Sequence, residues 1–78
     1  MEKAKMRIME EIKKLHRPKG KPINNSGLSA VFSKLQHEYT EEERMEGFRG
    51  LLEDEYFQES KEGLIITEKG YVLLETMP

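Results

Sequence analysis

Residues 51–71 read Leu51-Leu52-Glu53-Asp54-Glu55-Tyr56-Phe57-Gln58-Glu59-Ser60-Lys61-Glu62-Gly63-Leu64-Ile65-Ile66-Thr67-Glu68-Lys69-Gly70-Tyr71. A Leu-rich helix end runs into two β-prone stretches, 56–60 and 64–66, around a Gly-containing turn, which is the pattern of a β-hairpin. Thr67 then starts a closing helix, from Glu68 to about Thr76, because its hydroxyl can accept a free first-turn amide.

Working backward, Thr40-Glu41-Glu42-Glu43 matches a capping box and opens a third helix lasting to about Asp54. Met45, Phe48 and Leu52 form its expected core stripe. A second helix is expected over 27–36, with Leu28, Val31, Phe32 and Leu35 inward. The N-cap types Asn24, Asn25 and Ser26 precede it, after the extended piece Lys21-Pro22-Ile23. The first helix covers 3–16, with Ala4, Ile8, Ile12 and Leu15 on one stripe, and Pro18 and Gly20 stop it. The order is helix, short strand, helix, helix, hairpin, helix. This predicts one α+β domain over 1–78.

That order, with Leu51–Phe57 and Ile66-Thr67-Glu68-Lys69-Gly70-Tyr71, resembles the winged helix-turn-helix superfamily of small regulators. The resemblance covers nearly the whole chain. It implies a three-helix bundle with a β-hairpin wing and a C-terminal helix. It further implies that the third helix meets the DNA major groove and the wing touches phosphate. One position departs from the pattern. Glu55 stands where members often carry glycine, so the exit of the third helix is expected to be built differently or to fall one residue away.

Composition limits the chemistry. The chain has 78 residues, 36% of them charged, and no cysteine, so it has neither a disulfide framework nor a thiol nucleophile. A chain this short buries only roughly 60% of its unfolded surface, which disfavours an enclosed catalytic pocket. His16 and His37 lack metal-ligand spacing, and consecutive Glu53, Asp54 and Glu55 diverge around a helix. Neither an enzyme nor a cofactor or metal is expected. No apolar run is long enough to span a membrane, and charge begins at Glu2, so a cytoplasmic protein is expected.

The net charge of −2 hides two halves. Residues 1–21 carry eight Lys or Arg against three Glu, giving +5, and residues 22–78 carry five against twelve acids, giving −7. If DNA is bound, the expected contacts are Lys13, Lys14, Arg17, Lys19 and Lys21 in the basic third, with Arg44, Arg49 and Lys61. Arg17-Pro18-Lys19-Gly20-Lys21-Pro22 resembles an AT-hook core, which would lie extended in a minor groove; the alternative is an ordinary loop. Residues 40–55, however, hold seven acids and two bases, the wrong sign for a reading helix. Taking the core direction from Met45, Phe48 and Leu52, the opposite face carries Glu43, Glu46, Gly47, Gly50 and Asp54 and could bind protein.

Assembly is a further expectation. Met6 and Met9 lie off the first helix's stripe, and the last helix is apolar almost all round. A homodimer through Met6, Met9, Val72, Leu73 and Met77 follows from that distribution. Two functions remain open: a DNA-associated regulator, and the same module used for protein contacts.

Overall fold

The computed structural model describes residues 2–77. It contains α1 (Glu2–Lys14), α2 (Asn25–Lys34), α3 (Glu41–Glu53), β1 (Phe57–Ser60), β2 (Gly63–Ile66) and α4 (Glu68–Thr76). Helix α1 is the central element, packed by α2, α3 and α4. Ala4, Ile8, Met9 and Ile12 are all buried. Contact on three sides widens its apolar stripe, so Met9 belongs to the core and not to a dimer face. Helix α1 ends two residues earlier than expected. The amides of Leu15 and His16 bond three residues back, to Ile12 and Lys13, and His16 takes a left-handed φ of 52°. Pro18 restricts the residue before it and prevents any continuation.

Helix α2 starts two residues earlier than expected because Asn24 is its N-cap, with Oδ1 accepting the Gly27 amide at 2.9 Å. The capping box of α3 forms as read. Thr40 Oγ1 accepts the Glu43 amide at 3.1 Å, and Glu43 Oε1 accepts the Thr40 amide at 2.8 Å. The exit of α3 resolves the question of Glu55, which itself adopts the left-handed conformation with φ 65°. The Tyr56 amide bonds the Leu51 carbonyl and the Glu55 amide bonds that of Leu52, both at 3.0 Å. This is a Schellman closure carried out by a glutamate in the glycine position.

Strands β1 and β2 pair antiparallel, Phe57 opposite Ile66 and Glu59 opposite Leu64. Ile23 adds a single bridge on the other edge of β2, exchanging bonds of 2.8 and 2.9 Å with Leu64. Gly63 lies beneath that bridge with φ 135°, where a side chain would strike the Ile23 carbonyl. The buried core joins Ile8, Met9, Ile12, Ile23, Val31, Leu35, Leu51, Phe57, Leu64, Ile66, Leu74 and Met77.

The Thr67-Glu68-Lys69-Gly70 segment clasps the end of α3 to the start of α4. Thr67 Oγ1 accepts the Gly70 amide at 3.1 Å and lies 2.6 Å from the Glu55 carbonyl and 3.1 Å from that of Tyr56. Lys69 Nζ donates to the Asp54 carbonyl at 2.7 Å and stands 4.8 Å from the Tyr56 ring centroid. At Gly70 a Cβ would collide with the Tyr56 carbonyl oxygen. Thr67, Lys69 and Gly70 therefore hold this junction together, while Glu68 pairs outward with Lys19 at 3.4 Å.

Candidate functional site

Helix α3 is rotated from the expected phase. Gly47 and Leu51 are its buried residues, Phe48 and Leu52 are half-buried, and Met45 is 48% exposed. A Cβ on Gly47 would lie 3.1 Å from Ala4 Cβ and 3.2 Å from Ile8 Cδ1, and one on Gly50 would meet Lys5 Cε. The two glycines form the floor of the α1–α3 crossing, not an outward docking surface. Side-chain hydrophobicity gives glycine no weight and so points Met45, rather than Gly47, toward the core. Asp54 pairs with Lys5 at 2.8 Å and Glu43 closes the cap. Of Glu43, Glu46, Gly47, Gly50 and Asp54, only Glu46 lies on the exposed face.

The true outward face of α3 carries Glu42, Met45, Glu46, Arg49 and Glu53, all exposed. Beside it is a notch of about 150 Å³ lined by Asn25, Leu28, Phe48, Glu59, Ser60, Gly63 and Leu64. Its aromatic wall is fixed by Phe48, edge-on to Phe32 at 5.6 Å and tilted against Phe57 at 6.1 Å. Strand alternation puts Phe57 and Glu59 of β1 on one hairpin face, opposite Ile66 and Leu64. Three of these four are buried apolar residues, and the fourth is an exposed carboxylate at the notch. Sequence reasoning missed Met45 and Glu59. The signals were present: Gly47 and Gly50 mark a close crossing, and Glu59 breaks the apolar alternation.

Most of the cations nominated for DNA are engaged within the fold. Lys14 Nζ lies 3.0 Å from Glu11, Lys19 lies 3.4 Å from Glu68, and Lys13 donates to the Met77 carbonyl at 2.6 Å. Arg17 donates to the Pro22 carbonyl at 3.1 Å and Arg44 to that of Phe32 at 3.4 Å. Lys21, Arg49 and Lys61 are exposed, with no bonded partner among the described residues. The 17–22 segment is a turn rather than an extended hook. Lys21 bonds back to Pro18 at 3.1 Å, Gly20 has φ 86°, and its amide donates to Tyr71 Oη at 3.0 Å.

The basic character of the first third serves an internal ion network. Glu11 is only 4% exposed and lies beneath Arg7, Lys14 and Lys34. The Lys14 hydrogen bond holds its carboxyl below the usual range, against the opposing effect of burial. Arg7 also reaches Glu38 at 2.7 Å and Glu10 at 2.6 Å, tying α1 to the α2–α3 turn. Those two hydrogen bonds, Glu38 first, raise the guanidinium's already high pKa, and Arg7 in turn lowers that of Glu38. Lys5 likewise lowers Asp54.

The proposed dimer set is dispersed. Met9 and Met77 are buried in the domain core, because α1 and α4 cover one another there. Leu73 is half-buried, and Met6 and Val72 are exposed. Met6 lines an open apolar groove with Lys3, Arg7 and Tyr39. His16 and His37 are exposed, and among the described residues no group of three or more His, Cys, Asp or Glu could hold a metal ion. Among those residues, too, no helix is long and apolar enough to cross a membrane. Compared with family models, curated proteins and solved structures, the chain matches none.

Proposed function

We propose that this chain is a winged helix-turn-helix domain used for docking to another protein through the exposed side of α3 and the adjoining hairpin. The element order, with Ile23 bridging the hairpin, supports the winged-helix reading. The observation that carries the docking reading is the charge of the face a DNA reader would present. Glu42, Glu46 and Glu53 stand there against Arg49, with the exposed Met45 among them. Base readout needs donors backed by phosphate-neutralising cations, and this face would bring carboxylates toward phosphates. An exposed methionine within a charged rim suits a protein interface better, since methionine adapts to varied apolar partners.

A DNA-associated regulator remains the second reading, favoured by one observation: Arg49 on α3 and Lys61 at the hairpin tip are both exposed and unpaired among the described residues. Fluorescence anisotropy with labelled A·T-rich and mixed duplexes separates the two. At low salt the docking reading expects no saturation up to about 100 μM, at or beyond ordinary non-specific affinity. Tighter binding that weakens in Arg49→Ala and Lys61→Ala would establish the second reading instead.

A further inference from the structure

Building on the docking reading, we infer that the notch between α2, α3 and the hairpin receives an apolar side chain from a basic segment of a partner protein, with Glu59 and Glu41 meeting that segment's flanking lysines or arginines. The notch, at about 150 Å³, is smaller than ordinary small-ligand pockets of roughly 300–1,000 Å³. Leu28, Phe48 and Leu64 nonetheless give it an apolar lining suited to a single side chain. Helical spacing places Glu41, Met45, Phe48 and Leu52 on one side of α3, so an apolar strip continues from the notch and ends at a carboxylate. Glu59 closes the opposite wall. It occupies an inward-facing strand position, exposed and without a bonded partner among the described residues. An apolar floor between two unneutralised carboxylates complements an apolar anchor between cations.

A second copy of this chain is a poor occupant. Of its thirteen Lys and Arg, Lys5, Arg7, Lys14, Lys19 and Lys34 are ion-paired. Four more, Lys13, Arg17, Arg44 and Lys69, donate to carbonyls. The remaining Lys3, Lys21, Arg49 and Lys61 are scattered over four parts of the fold and offer no basic apolar segment.

The test titrates the full chain with a labelled helical peptide of about 14 residues built from Lys and Leu, read by anisotropy and by amide NMR shifts. Control peptides replace Leu with Ser, or Lys with Glu. The expected result is saturable binding of the Lys/Leu peptide, with shifts at Leu28, Phe48, Gly63 and Leu64. Glu59→Lys weakens it about fivefold, as loss of one exposed ion pair plus a repulsion implies. Glu75→Lys, the same charge change at an exposed site on α4, leaves affinity unchanged within about twofold. Glu59 is exposed, so its substitution leaves the core intact; Glu59→Gln, expected to weaken binding less, checks this. Equal weakening by the two lysine variants, equally tight Lys/Ser binding, shifts elsewhere, or no binding would each overturn the inference. Occupation of the notch by the Glu/Leu peptide alone would overturn the cationic partner while leaving the docking reading standing. Failure of the docking reading has a different signature, namely duplex DNA shifting Arg49 and Lys61.

Discussion

Replacing Gly70 with alanine tests the clasp that holds α4 to the end of α3. In an unobstructed helix the change gains about 0.8–1.0 kcal/mol. Here the new methyl would strike the Tyr56 carbonyl oxygen and lie 2.7 Å from Ile66 Cγ2. The carbonyl cannot easily retreat, because it accepts the Thr67 amide at 3.1 Å and lies 3.1 Å from Thr67 Oγ1. Overpacking costs about 1–3 kcal/mol, and a lost hydrogen bond about 0.5–1.5 kcal/mol more. After subtracting the helix gain, the net loss is about 0.5–3.7 kcal/mol. For a domain of this size that lowers Tm by roughly 2–30 °C, at about 4–8 °C per kcal/mol. Thermal and urea unfolding followed by far-ultraviolet circular dichroism measure it. A Gly70→Ala protein as stable as the parent would refute the steric reasoning and the structural role given to the motif.

The glycines of α3 should respond differently from one another. Gly50→Ala is opposed only by the movable end of Lys5 and should stabilise by up to about 1 kcal/mol, whereas at Gly47 the rigid Ala4 and Ile8 contacts should cancel that gain or reverse it. Urea midpoints of the two single variants compare them, and equal gains would argue against the close crossing. Glu55→Gly should stabilise by up to about 1.5 kcal/mol, the relief of a left-handed residue worth about 1–2 kcal/mol less glycine's extra unfolded entropy of about 0.5–1 kcal/mol. Differential scanning calorimetry reads that change, and a lower Tm would contradict it. Stability should also fall in acid. Glu11, Glu38 and Asp54 all have lowered folded pKa values, so their contribution is complete above the unfolded carboxylate range near pH 4 and is lost as pH drops through the folded values. Urea midpoints that stayed flat from pH 6 to about pH 2 would count against the Arg7–Glu11–Lys14 and Lys5–Asp54 contacts.

The architecture was legible where local chemistry dictates local structure. Thr40 with Glu43, Thr67, the Gly63 turn and Pro18 each act on neighbouring backbone, and each does what its residue type implies. Facing was less legible. Hydropathy places Met45 inward because it is apolar and Gly47 and Gly50 outward because they have no side chain to count; helix crossing distance favours the opposite arrangement. Met9 lies off a single stripe, yet a helix packed by three others, as α1 is, needs a wider one, and Met77 is buried where the end of α4 meets α1. The basic N-terminal third looked like a phosphate site because sequence order does not show that Glu11, Glu38, Glu68 and Asp54 come to meet its cations.

The docking claim is met most directly by an amide NMR titration of the chain with unlabelled duplex DNA at low salt. The amide signals of residues 42–53 of α3 and 58–63 of the hairpin are expected to stay in place as DNA is added. Saturable shifts concentrated at Arg49, Lys61 and the start of α2 would contradict it, and would show that the face reads nucleic acid despite its carboxylates.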